Sequence, residues 1–353
     1  MQIPISNSRI ITFLLVSASV VVIVAGMRAA ETVLVPFLLA TFIAIIAAPP
    51  LMYLRSKRVP AVLALLIIII AILLVGALVG TVVGTSVHDF TQNLPRYQER
   101  LQEQTRMLQD LATSMGIGVS DQVFSEYFDI GAIMQVFANM LASLGGMLTN
   151  GFFILLTVMF MLLEVSSFQG KLNAAFGRPD ASFDNLHRVL QNIKRYMAIK
   201  TIVSLGTGVI IGVWVWILGV DYPILWGLLA FLLNYVPNIG SIIAAVPAVL
   251  LAFIQLGTGS AALTAAGYLA VNSIIGNLIE PRFMGRGLGL STLVVFMSLI
   301  FWGWVLGPVG MLLSVPLTMT VKIGLQSNED TQWLAILLGD EETSQAVAEE
   351  AES

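Results

Sequence analysis

Eight stretches of this chain are apolar over lengths that only a lipid bilayer explains. Uninterrupted runs occupy residues 10–27, 32–54, 61–87, 141–164, 199–219 and 261–279, and two longer, interrupted ones occupy 222–256 and 289–323. Crossing a hydrocarbon core of about 30 Å takes about 20 helical residues. The runs are continuously apolar and lack the alternation of a lipid-facing strand, so helices are expected rather than a barrel. Only 11% of the residues are charged, against 57% hydrophobic; soluble domains carry about twice that charge fraction. The reading is therefore an all-α polytopic membrane protein, with the bilayer as its first partner. The run after Arg9 is read as a retained first span rather than a cleaved leader, because a second apolar segment begins at Thr32.

Basic residues set the expected orientation. With the N-terminus inside, 13 of the 17 Lys and Arg residues are cytoplasmic: Arg9, Arg55, Lys57, Arg58, Lys171, Arg178, Arg188, Lys194, Arg195, Lys200, Arg282, Arg286 and Lys322. Arg28, Arg96, Arg100 and Arg106 fall outside. Both termini are then cytoplasmic. The chain divides into three N-terminal spans (1–87), an external amphipathic insert (88–140), a fourth span with a basic amphipathic helix (141–198), a core (199–325) and an acidic tail (326–353). The insert carries a near-heptad stripe of Phe90, Leu94, Tyr97, Leu101, Leu108 and Leu111. That stripe suits either a neighbouring helix, such as a short one near Val123 to Phe128, or a partner subunit. Ser182 precedes a second stripe, Phe183, Leu186, Leu190, Ile193 and Met197, expected to feed into the 199–219 span. Pro49-Pro50 predict a kink or an end in the second span. The tail after Lys322 reads as mostly solvated, with a short helix around Trp333 to Leu338.

The two interrupted runs carry the functional signal. One breaks at Asn234-Tyr-Val-Pro237-Asn238-Ile-Gly240, the other at Gly303-Trp-Val-Leu-Gly307-Pro308-Val-Gly310. Non-helical backbone at membrane depth must be buried in protein or line a wet cavity. Two re-entrant hairpins meet that demand, and parity then makes 199–256 and 258–323 span-plus-hairpin modules of opposite orientation. Inverted repeats with interrupted helices recur in transporters, whose exposed helix ends offer N–H and C=O groups to a cargo. Two purely structural hairpins are the alternative. The expected cargo path consists of Asn234, Pro237, Asn238, Gly240, Ser241, Asn272, Asn277, Gly307, Pro308 and Gly310. No charged residue is expected at mid-span; Glu164 and Glu280, with Arg282, are the remaining candidates for ion or proton coupling. Gly76, Gly80 and Gly84, and Ser204, Gly208 and Gly212, form small-residue ridges suited to packing within the subunit or between subunits.

Several activities have no support in the sequence. There is no cysteine and only two histidines, His88 and His187, which disfavours a metal centre. No P-loop spacing occurs, the Gly285–Gly289 stretch reads as a turn, and no catalytic constellation is visible.

At Asn234 to Gly240, at Asn277-Leu-Ile-Glu280-Pro281-Arg282-Phe-Met-Gly285, and at Gly307-Pro308-Val-Gly310 through Val315-Pro316-Leu317, the chain resembles the autoinducer-2 exporter (AI-2E) family of bacterial membrane proteins. The similarity runs from about residue 10 to 325, and Met284 to Leu293 is typical of its signal-exporting members. Many relatives have His-Pro where this chain has Ser291-Thr292, so no role of that histidine transfers. The resemblance implies a secondary transporter of the bacterial inner membrane that exports autoinducer-2, a small hydroxylated furanone-derived signal. It also implies a homo-oligomer, plausibly a pentamer, with no catalysis, cofactor or nucleic acid. Other members resemble sodium or lithium/proton antiporters, and a non-transporting oligomeric scaffold is the reading from outside transport.

The orientation is testable because the chain lacks cysteine. A membrane-impermeant maleimide applied to spheroplasts should label Gln102→Cys, and should label Ser56→Cys only after permeabilisation. The reverse pattern would invert the topology.

Overall fold

The computed structural model describes residues 5–114, 151–176, 181–237, 239–284, 289–326 and 331–339. Regular structure among them is helical throughout. In chain order the helices are α1 (Ile5–Ala29), α2 (Glu31–Ser56), α3 (Ala61–Ser114), α4 (Gly151–Phe176), α5 (Ala181–Ile217), α6 (Pro223–Leu233), α7 (Ile239–Leu256) and α8 (Thr258–Val271). A π-helix (Asn272–Ile279) follows, then α9 (Glu280–Met284), α10 (Thr292–Leu312), α11 (Ser314–Gln326) and α12 (Gln332–Leu337). Among the described residues, six helical stretches are long and apolar enough to cross a membrane: Glu31–Ser56, Ala61–Glu103, Ile193–Ile217, Ile239–Leu256, Thr258–Ile279 and Thr292–Leu312. Shorter apolar helices occupy Leu14–Ala29, Gly151–Glu164 and Pro223–Leu233. The chain is an all-α polytopic membrane protein.

α3 is one unbroken helix of 54 residues, about 80 Å at 1.5 Å per residue. That is far longer than a hydrocarbon core. Its first half shows lipid a bare apolar face, with Val62, Leu74 and Leu78 each at least 66% exposed. The sequence boundary at 87 marks where the apolar run stops, while the helix itself continues through Pro95 to Ser114. α2 likewise carries on through Pro49-Pro50 to Ser56. The helix around Val123 to Phe128, Leu108 and Leu111 as side chains, and the tail from residue 340 lie outside the described residues.

Two compact units divide the chain. One is drawn from Met1–Ile45, Leu156–Leu190 and Gly289–Ser353, the other from Ile46–Leu155 and Gln191–Leu288. In the second unit, Ile211 and Val215 of α5, Trp226 and Leu229 of α6, Ala248 and Leu251 of α7 and Tyr268 of α8 share one core. Phe90, Tyr97 and Leu101 of α3 join it, so the first half of the stripe packs within the chain. A polar knot finishes that seam: the Tyr97 hydroxyl donates to Asp221 (3.1 Å), Arg100 donates to the Gln255 carbonyl (3.1 Å), and the Gln255 amide also reaches Asp221.

Glycine lets α5 and α6 touch backbone to backbone. A Cβ on Gly208 would lie 2.6 Å from the Gly227 carbonyl oxygen, and one on Gly227 equally close to that of Gly208; Gly212 flanks them. By contrast, Gly76 and Gly84 of α3 have nothing within 4 Å.

The two interrupted runs break where the sequence places the breaks. α6 ends at Leu233, a turn follows through Pro237, and α7 starts at Ile239. α10 contains Gly307 in a non-helical conformation (φ 64°, ψ −155°) that favours glycine. The two tips close alike: a Cβ on Gly240 would overlap the Leu233 carbonyl, and one on Gly310 the Trp302 carbonyl. In each hairpin the residue four positions earlier, Val236 or Leu306, is the neighbouring side chain. Trp302 fastens the second tip by donating from Nε1 to Thr318 (3.0 Å). In the first unit Trp302, Val305 and Leu306 pack against Val24, Met27 and Leu34 near the α1–α2 turn. The tail helix forms as α12 and buries Ala335 fully.

Gly240→Ala and Gly310→Ala should each destabilise by about 1–3 kcal/mol or more, because backbone atoms must move to admit the methyl. Gly76→Ala and Gly84→Ala should leave the isolated chain unchanged. The apparent melting temperature in detergent measures the difference.

Candidate functional site

The second unit contains a polar cavity of about 70 Å³, several times the ~10–15 Å³ that one water needs. Lys200, Asn234, Val236, Pro237, Ser241, Asn272, Gly276, Asn277 and Glu280 line it. Five of the expected path residues therefore meet in one place: Asn234, Pro237, Ser241, Asn272 and Asn277. Glu280 joins them.

Each wall has a local cause. The break after α6 is tied to α5 at two consecutive residues. Asn234 donates to the Ser204 hydroxyl (2.9 Å) and Tyr235 to the Thr201 hydroxyl (2.8 Å). These bonds hold the non-helical turn beside Lys200, one turn earlier on α5. Ser241 enters from the first turn of α7. The opposite wall is the π-helix, whose i→i+5 bonding brings residues four and five apart onto one face. Asn272, Gly276 and Asn277 share that face, and Glu280 follows four residues after Gly276. Gly276 leaves space for the Asn272 side-chain oxygen, which a Cβ would meet at 3.4 Å.

Lys200 and Glu280 form an ion pair of 2.5 Å at the cavity wall, with side chains only 4% and 16% exposed. Sequence reasoning counted Lys200 among the cytoplasmic basic residues and missed this position. A signal was present: Ile193, Met197, Lys200, Ser204, Thr207 and Ile211 follow helical spacing, and all are buried. Lysine thus sits on the stripe that α5 presents to its own core. The π-helix had no comparable signature.

A smaller recess of about 10 Å³ adjoins the cavity through the shared residues Ser241 and Asn272. Thr207, Ile211 and Tyr268 are among its other walls, and the buried Tyr268 hydroxyl has no hydrogen-bond partner among the described residues.

The other expected residues are not among those that line the cavity. Gly240 buttresses the first tip rather than lining the cavity, and Asn238 is outside the described residues. Gly307, Pro308 and Gly310 form the second tip in the first unit. There Glu31 Oε1 lies 3.1 Å from where a Gly307 side chain would begin, and Arg28 stacks over Trp304 at 4.5 Å. Glu164 pairs with Lys171 at 2.6 Å on an open surface, 47% and 68% exposed, where such pairs contribute little. Arg282 is exposed. Ser291 caps α10 by accepting from the Val294 N–H (3.3 Å), so the position that departs from the family pattern has a local structural task here. Among the described residues no group of three or more His, Cys, Asp or Glu could hold a metal ion.

Comparison with known proteins adds an independent line. Residues 17–328 match the family described as AI-2E family transporter. The AI-2 transport protein TqsA of Escherichia coli (strain K12) is 42% identical over 320 residues, which cover 91% of this chain and 93% of TqsA. A Haemophilus influenzae protein named provisionally as a transport protein is 41% identical over 96% of this chain and 99% of its own length. YhhT of E. coli (strain K12), whose name also assigns it to transport provisionally, is 38% identical, covering 92% and 93%.

Removing one member of a buried ion pair strands the other charge, at a cost of about 3–5 kcal/mol, whereas removing both is often close to neutral. Lys200→Met should therefore lower apparent stability much more than Lys200→Met/Glu280→Gln. Thermal unfolding in detergent, run as a double-mutant cycle, checks this.

Proposed function

Because the chain belongs to the AI-2E transporter family, a transport protein rather than an enzyme, we propose that it exports the signal autoinducer-2 across the bacterial inner membrane, with both termini in the cytoplasm. The observation that carries this reading is the chemistry of the cavity. Three amides, a hydroxyl and an ion pair whose charges cancel offer donors and acceptors without net charge. A small uncharged molecule with several hydroxyl groups fits that demand better than an ion does. The carboxamides can each donate and accept, the ammonium donates only, and the carboxylate accepts only. Such a wall reads hydroxyls in either orientation.

TqsA, whose name states AI-2 transport, supports the cargo by similarity across nearly the whole chain. Antiport of sodium or lithium is the weaker reading: Glu280 is already neutralised by Lys200, and Glu164 lies against Lys171 at the surface. Transport of a neutral cargo draws nothing from the membrane potential, which acts at about 2.3 kcal/mol per charge per 100 mV. A gradient of the cargo itself is then enough to drive efflux.

Cells lacking their own exporter and expressing this chain should lose intracellular autoinducer-2 faster than controls. Each cavity hydrogen bond is worth about 0.5–1.5 kcal/mol, so Asn272→Ala and Asn277→Ala should each slow efflux about 2–10-fold at subsaturating cargo. If both variants and Ser241→Ala export at the parental rate, the cavity is not the path.

A further inference from the structure

We propose that Lys200 is a tethered counter-ion standing where a coupling cation would otherwise bind, so that this carrier works without sodium or lithium. The assignment rests on the cavity being the transport site but not on the identity of the cargo.

A carboxylate at the depth of Glu280 needs a positive partner, because an isolated buried charge is far too costly. A protein can take that partner from solution as a metal cation or build it into the chain. Here the chain supplies it. The Lys200 ammonium contacts Glu280 Oε1 at 2.5 Å and is itself buried. Among the described residues lining the cavity it is the one cation, and the neighbouring Arg282 is exposed.

The rest of the wall suits a hard cation. The amide oxygens of Asn234, Asn272 and Asn277, the Ser241 hydroxyl and the Glu280 carboxylate are the oxygen ligands that such ions take. Taking the ammonium away leaves a cavity with net negative charge, oxygen donors and room for several waters. The same architecture is thus one substitution away from a cation site. Lys200 also comes from α5 while Glu280 opens α9, directly after the π-helix, so the pair spans two walls as a bound cation would.

The test uses the purified full-length chain, with sodium or lithium chloride compared against choline chloride. The wild type and Lys200→Arg should show no saturable stabilisation by sodium or lithium and no saturable binding of radioactive sodium. Lys200→Met should gain both, with an affinity at least tenfold above any residual wild-type signal, and Lys200→Met/Glu280→Gln should lose them again. A Lys200→Met protein that survives purification only in sodium or lithium also supports the proposal. Saturable binding by the wild type would overturn it. So would a folded Lys200→Met that ignores both cations, or one that fails to fold in all three salts while the double variant folds. These readouts require no cargo. If the wild type fails to export autoinducer-2 while the cation results hold, the signal-export reading falls and the counter-ion assignment stands.

Discussion

Lipid cannot hydrogen-bond to a peptide group or solvate a charge, and most of this structure follows from that single constraint. Long helices satisfy their own backbone. The places where the helix stops must be satisfied by protein: across the first break the N–H groups of Asn234, Val236 and Gly240 donate to the carbonyls of Ala230, Leu233 and Val236, and side chains then fasten both tips. At the first break, Asn234 and Tyr235 turn side chains onto hydroxyls of α5. At the second, Trp302 reaches Thr318 across the hairpin. In both, a glycine at the start of the returning segment lets the chain close against the preceding carbonyl. The same rule governs charge: Lys200 and Glu280 persist at depth because each neutralises the other.

The elements legible in the sequence are those whose signal is local. Apolar runs, the Pro/Gly breaks and the helix at Trp333 are properties of neighbouring residues. Among the described residues the breaks and that helix lie where the sequence places them, the first and fourth runs form shorter apolar helices, and residues 141–150 lie outside the described residues. The extension of α3 past residue 87 was half legible: the stripe of Phe90, Tyr97 and Leu101 was read, but not its continuity with the span. Polarity changes there while helical propensity does not.

What the sequence concealed depends on partners. Gly76 and Gly84 show the same four-residue spacing as Gly208 and Gly212, yet only the latter meet another backbone, at Gly227. Spacing says that a close approach is allowed, not that one occurs. Lys200 reads in sequence as an orientation signal, while its place on a buried stripe depends on which face of α5 meets the core. The π-helix was invisible because nothing in Asn272 to Ile279 separates it from an ordinary helix. Its effect is geometric: the wider turn gathers Asn272, Gly276 and Asn277 on one face with Glu280 beyond. The cavity wall is assembled from three distant stretches, around 200, 234–241 and 272–280; the sequence points to the last two, through their Asn, Pro and Ser residues, and not to the first.

The central claim is that this cavity is part of the route the cargo takes, and the absence of native cysteine allows a direct measurement. Ser241→Cys places one thiol in the cavity wall. The rate of its modification by a small methanethiosulfonate reagent can be followed in inverted and right-side-out vesicles, with and without autoinducer-2. The thiol should react, cargo should slow the reaction, and modification should block efflux. Complete modification with efflux undiminished and no protection by cargo would contradict the claim.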